Sequence, residues 1–240
     1  MNKPHILLNL EIPEEQDKRP TKIVEEESWL YDVIDKVEIN GLVKKTRSDE
    51  LILSPGKHKV KLILNESPIK FHNAFRNCEN MVAVRFENID TTKNPDFSDM
   101  FFGCINLRKI EGCEDWNTRY VKDMSNMFNR CFSLESIEFV NDWDTTNLED
   151  ISGMLCSCSS LTSLKPLRNW KTDNIEETRY MLSGCDSIKS AEGLEGWNLT
   201  DQHYIYVQQT FNGAEHILED LRTRLEAQAK KKTRHNTIQQ

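Results

Sequence analysis

Apolar positions recur along most of this chain at a fixed interval. Cysteines stand at Cys78, Cys104, Cys131, Cys158 and Cys185, evenly spaced from Cys104 onward and one position closer before it. Four residues before a cysteine comes Met100, Met127, Met154 or Met181, and three before it Phe75, Phe101, Phe128, Leu155 or Leu182. Three after it comes Met81, Leu107, Leu134, Leu161 or Ile188, and twelve after it Trp116, Trp143, Trp170 or Trp197. A period in the twenties marks a stacked repeat, in which each unit buries its apolar strip against its neighbours.

Inside each unit the pattern predicts three pieces. Val121, Met124, Met127 and Phe128, and likewise Leu148, Ile151, Met154 and Leu155, fall at offsets of 0, 3, 6 and 7. That spacing predicts about two helical turns with one face inward. Leu134-x-x-Ile137 and Leu161-x-x-Leu164 follow turn-forming residues and predict short extended segments. Trp143-Asp144-Thr145-Thr146 and Trp170-Lys171-Thr172-Asp173 predict turns whose side chains cap the next helix. Asp123, Asp150 and Glu177 fall in its first turn, where a negative charge suits the helix dipole.

Ahead of the repeats the pattern differs. Residues 1 to about 30 read as irregular and acidic, with Pro13 to Pro20 a solvated loop. Val37, Ile39 and Gly41 predict a strand and turn. Leu51-Ile52-Leu53 and Val60 to Leu64 flank Ser54-Pro55-Gly56-Lys57 and predict a hairpin. The outer repeats are degenerate. Ile89-Asp90-Thr91-Thr92 lacks the tryptophan, and Thr210-Phe211-Asn212-Gly213-Ala214 has alanine for cysteine. Ile217, Leu218, Leu221 and Leu225 predict an amphipathic C-terminal helix, and Lys230, Lys231, Lys232 and Arg234 a disordered basic tail. The expected architecture is an α/β repeat solenoid, leucine-rich-repeat-like, in units of ~27 residues. A small β cap occupies 1–67, the repeats 68–214 in five to six units, and the helix and tail 215–240.

Composition narrows the function. A formal net charge of −8 argues against general binding to nucleic acid or an anionic membrane. No apolar run approaches the ~20 residues of a membrane span. The early apolar stretch Ile6 to Leu8 is too short for a signal-peptide core, and Glu11, Glu14 and Glu15 follow it. The chain therefore reads as cytoplasmic. Seven cysteines, five of them one per repeat, read as reduced, small, buried residues, since equivalent side chains in stacked units run parallel. Zinc is the sharper alternative, but there is no CxxC pair, and Cys156 with Cys158 forms CxC with Cys156 out of phase. His5, His58, His72, His203, His216 and His235 pair with no cysteine or carboxylate at a catalytic or metal spacing. No glycine-rich phosphate loop is present. No catalytic residue, cofactor or metal ligand is therefore expected. The tryptophan column could serve as a carbohydrate-stacking row, but a large residue at a fixed repeat position more often packs inside.

The units Asp115-Trp116-Asn117-Thr118 … Val121-Lys122-Asp123-Met124-Ser125-Asn126-Met127-Phe128 … Cys131-Phe132-Ser133-Leu134 and Asp142-Trp143-Asp144-Thr145-Thr146 … Leu148-Glu149-Asp150-Ile151-Ser152-Gly153-Met154-Leu155 … Cys158-Ser159-Ser160-Leu161 resemble a known family. They are similar to the BspA-like leucine-rich repeats of bacterial and some protist proteins, over roughly residues 70 to 214. The resemblance implies a leucine-rich-repeat-like fold used for protein binding or adhesion, on a cell surface or secreted. The expected function is non-enzymatic protein–protein interaction with a protein partner, the alternative a surface or secreted adhesin fragment. The positions left free to bind flank each short extended segment: Arg108, Lys109 and Glu111; Glu135, Ser136 and Glu138; Thr162, Ser163 and Lys165; Lys189, Ser190 and Glu192. Their mixed charge suits a polar protein surface rather than DNA, against the default of a solvated face.

Overall fold

Period-two alternation begins at residue 5, inside the stretch expected to be irregular. Ile6, Leu8, Leu10 and Ile12 are buried while the residues between them are not, so His5–Ile12 forms a strand with one face in the core. The computed structural model describes residues 3–16, 19–44, 48–93, 96–197 and 210–224. In it the strands are β1 (His5–Ile12), β2 (Pro20–Lys22), β3 (Ile34–Ile39), β4 (Leu42–Lys44), β5 (Glu50–Ile52), β6 (Gly56–Leu64), β7 (Met81–Glu87) and β8 (Lys109–Glu111). One helix, α1 (Trp29–Val33), starts at Ser28, whose hydroxyl accepts the Tyr31 amide. Residues 215–224 are also helical. The expected basic tail, with Leu225, His203 and His235, lies outside the described residues.

Six strands form one mixed sheet in the order β4-β3-β6-β1-β7-β8. β1 runs antiparallel to β6, from His5 opposite Ile63 to Ile12 opposite Gly56, and antiparallel to β7 on its other side. β7 and β8 are parallel. β2 and β5 form a separate two-stranded sheet. The hairpin expected across Ser54 to Lys57 therefore does not form. Its two arms enter different sheets, because β1 and β3 take both edges of β6.

These findings overturn the expected α/β repeat solenoid with a small β cap. The molecule is dominated by β structure built on a six-stranded sheet, and no α-helix occurs among the described residues between 69 and 197. The reason lies in the backbone hydrogen bonds. The amides of Phe75, Phe101, Phe128 and Leu155 donate to the carbonyls of Met100, Met127, Met154 and Met181 at 2.8, 2.9, 2.9 and 3.1 Å, each in the next repeat. The amides of Asn73, Asp99, Asn126 and Gly153 do the same two residues earlier. Between them, the amides of Ala74, Met100, Met127 and Met154 turn back only three residues, to Phe71, Phe97, Met124 and Ile151. A segment that sends alternate amides sideways cannot also complete the four-residue ladder of an α-helix. It runs instead as consecutive tight turns. Each turn closes through a left-handed residue, at Asn126 and Arg130 in one repeat and Gly153 and Ser157 in the next, with φ of 53°, 64°, 60° and 61°.

The expected extended segments are also corrected. The first two repeats form the strands β7 and β8 there; in the next two the chain passes into 3-10 turns at Glu138–Val140 and Lys165–Leu167. One apolar core nonetheless runs from Ile6 to Leu221. It includes stacked rings Phe75–Phe101–Phe128, with centroids 5.4 and 5.7 Å apart, and the pairs Trp116–Trp143 and Trp170–Trp197, both 6.3 Å.

Candidate binding strip

The fixed columns of the repeat are committed to structure. The thiols of Cys104, Cys131, Cys158 and Cys185 donate to the carbonyls of Phe75, Phe101, Phe128 and Leu155 in the preceding repeat, at 3.0, 3.2, 3.1 and 3.1 Å. Burial pushes these thiols up, that of Cys185 to about 12, so they stay protonated and unreactive near neutral pH. The indole N–H groups of Trp143, Trp170 and Trp197 donate to the carbonyls of Cys113, Val140 and Leu167, at 2.9, 3.1 and 3.1 Å. The rings are buried, so none offers a stacking face to a sugar. A threonine column works in the same way: Thr118 and Thr145 donate to the Asp144 and Lys171 carbonyls, both at 3.1 Å.

The twelve strip residues fall into three columns of four across successive repeats. Arg108, Glu135, Thr162 and Lys189 make the first, Lys109, Ser136, Ser163 and Ser190 the second, and Glu111, Glu138, Lys165 and Glu192 the third. They lie on one face because Leu107, Ile110, Leu134, Ile137, Leu161, Leu164 and Ile188, which alternate with them, are buried. The middle column is mostly structural. Ser136, Ser163 and Ser190 accept the amides of Glu138, Lys165 and Glu192 at 3.3, 3.2 and 3.1 Å, closing the turn two residues on. Lys109 instead pairs with Glu111 at 2.6 Å.

Charge is distributed unevenly over the other two columns. Lys165 and Arg168 both hold Glu192, at 3.2 and 3.0 Å, and together keep its carboxyl below the usual range. Lys189 donates to the Asp186 carbonyl in its own turn and Thr162 to the Glu135 carbonyl in the preceding repeat. Arg108, Glu135 and Glu138 have no side-chain ion pair or hydrogen bond among the described residues. Sequence reasoning missed two contributors. Arg168 joins the Glu192 cluster one turn beyond the strip. Arg224, from the helical residues 215–224, reaches Asp220 at 2.7 Å, Glu195 at 3.3 Å and Ser190 at 2.8 Å, closing one end of the strip. Arg168 does not recur at its repeat position, and its place three residues after Lys165 is the one sequence signal that could have flagged it; nothing local signals Arg224. Phe132, three residues before Glu135 in the chain, keeps an exposed aromatic ring.

Residues 69–197 and, in a second alignment, 96–224 match the family described as Mycoplasma protein of unknown function, DUF285. Both limits of the second match lie one full repeat beyond those of the first. No curated protein and no solved structure matches the chain. The matches span well over half of the sequence, and the chain belongs to this family.

Proposed function

We propose that this family member is a non-enzymatic protein–protein interaction module whose partner docks along the three-column strip. The observation that supports it is the set of unpaired charges at Arg108, Glu135 and Glu138, lying on adjacent repeats among neighbours whose polar groups are engaged. Charges of both signs, held on a rigid backbone ladder and unspent within the chain, suit a complementary polar protein surface. Reversing them together (Arg108→Glu, Glu135→Lys, Glu138→Lys) breaks no contact described above, so the fold should keep its melting temperature. Affinity capture from the native host, quantified by mass spectrometry against the unaltered chain, should lose the specific partner. Equal recovery of every partner by both chains sinks the proposal.

The resemblance to BspA-like repeats favours a second reading, in which the same strip is displayed at a cell surface or outside the cell. The seven cysteines, all free thiols, favour a reducing interior instead. Protease shaving of intact host cells separates the two: loss of the protein under shaving selects the surface, and survival selects the interior.

A further inference from the structure

We infer that the outer face of the six-stranded sheet carries a second docking site, for an extended acidic segment of a partner protein. The inference rests on the interaction reading above and adds a place and a chemistry. Lys57, Lys59 and Lys61 take alternate positions of β6 and so project from one face, the side opposite buried Val60, Leu62 and Leu64. None of the three ammonium groups has an ion pair or hydrogen bond among the described residues. Glu11 and Glu38 stand directly across from Lys57 and Lys61 on the neighbouring strands, while Lys59 faces Asn9, so the uncompensated positive charge is centred on Lys59 and favours an anion there.

The strand register builds the rest. One row across the sheet reads Glu38, Lys61, Leu7, Arg85 and Glu111, on β3, β6, β1, β7 and β8 in turn. The adjacent row reads Lys59, Asn9, Ala83 and Lys109. The small side chain of Ala83, between Asn9 and Lys109, leaves room at the centre. Here a depression of about 360 Å³ opens, lined by Lys59 and Lys61, which are unpaired among the described residues, and by Arg85, whose Nε holds Glu87 at 3.1 Å and whose remaining N–H groups are left for a second carboxylate. Lys61 and Arg85 stand two strand spacings apart, about 10 Å, and carboxylates two or three positions apart in an extended peptide are separated by about 7 to 10 Å. Glu38 and Glu111 close the row at both ends. They repel a polyanion longer than the depression, which selects a short acidic stretch over nucleic acid. Lys109 and Glu111 also belong to the strip, so one partner can run from the repeats onto the sheet.

The test uses the full chain and a fluorescein-labelled hexaglutamate peptide, read by anisotropy at low salt. The triple variant Lys59→Gln, Lys61→Gln, Arg85→Gln should weaken binding at least about tenfold, and added salt should weaken binding to the unaltered chain. Lys61→Glu alone should weaken it in the same direction, which keeps the test sound if the triple variant unfolds. The strip variant of the preceding section should leave peptide affinity within about twofold, so the two readings fail separately. Equal affinity for the triple variant and the unaltered chain overturns the inference. So does displacement by inorganic phosphate as effective as by unlabelled peptide, which makes this a single-anion site, or tighter binding of a single-stranded oligonucleotide than of peptide.

Discussion

Trp143→Phe tests whether the tryptophan column holds the repeats together by hydrogen bonding as well as by packing. The Trp143 ring is 4% exposed, stacks on Trp116 at 6.3 Å and meets Phe97 and Phe139 edge-on at 5.9 and 6.0 Å. Its N–H donates 2.9 Å to the Cys113 carbonyl, which among the described residues otherwise accepts only a 3.3 Å bond from the Trp116 amide. Phenylalanine keeps an aromatic ring but leaves a void, costing about 1–2 kcal/mol. It also removes the shorter of the two bonds to that carbonyl, costing about 1–1.5 kcal/mol more. The total is about 2–3.5 kcal/mol. Trp116→Phe is the internal control: that ring is 8% exposed, and its N–H has no hydrogen bond among the described residues. The control should lose only the packing part. With a urea slope of about 2 kcal/mol per molar, the two midpoints should differ by about 0.5–0.75 M, Trp143→Phe being the lower. Midpoints that fall together at equal slopes would refute the hydrogen-bonding role.

Other perturbations probe the turns and the thiols. Gly153→Ala should destabilise by about 2 kcal/mol or more, because φ is +60° and the new Cβ would lie 2.4 Å from the Asn126 side-chain oxygen. Gly196→Ala, which meets nothing within 4 Å, should stay within about 0.5 kcal/mol in the same urea titration. Arg130→Gly should stabilise by a few tenths of a kcal/mol, since relief of a left-handed φ of 64° outweighs the entropy glycine adds to the unfolded chain; a lower urea midpoint contradicts this. Native labelling with a thiol reagent should modify half-buried Cys156 well before the six buried cysteines, as peptide mapping would show. Because folding raises the pKa of the buried thiols, stability should be full below the ordinary thiol pKa of about 9 and fall as pH rises from there towards about 12. Stability that is flat or rising over that window, by urea titration at each pH, would remove the thiols as its cause.

Much of the core can be read from the sequence, while the local conformation cannot. The columns headed by Met127, Phe128, Cys131, Leu134 and Trp143 are buried as their period implies, because burial depends on recurrence and not on which turn the backbone takes. The helix expected from Val121 to Phe128 does not form because offsets of 0, 3, 6 and 7 fit consecutive tight turns as well as helical ones. The distinguishing signal is the polar or glycine residue every fourth position, Asn73 and Asn77, or Gly153 and Ser157, which allows a left-handed φ. In β1 the alternation of Ile6, Leu8, Leu10 and Ile12 is equally visible. Its central place is not, because the residues that face His5 across β6 and β7, Ile63 and Glu87, stand far along the chain. The strip's outward face follows from Leu134 and Ile137 pointing inward. Which of its charges stay unpaired depends on Arg168 and Glu192 meeting across a repeat, a contact that no local pattern encodes.

The backbone ladder between repeats also sets the grain at which this chain can change its length. A residue inserted between Asn126 and Met127 would shift Phe128 and Cys131 out of line with Phe101 and Cys104, breaking bonds to both neighbours at once. A whole repeat added at the same place would present each neighbour with the same donors and acceptors that it meets now. Among the cysteines one interval departs, the shorter one between Cys78 and Cys104, and it loses its residue in the connection after β7, outside the paired turns. Growth or shrinkage by complete tiers would lengthen or shorten the three-column face in equal steps and leave the sheet at its N-terminal end untouched. Under the proposed interaction role, reach along a partner would then be set by copy number, and its selectivity by the few side chains that each copy leaves outside.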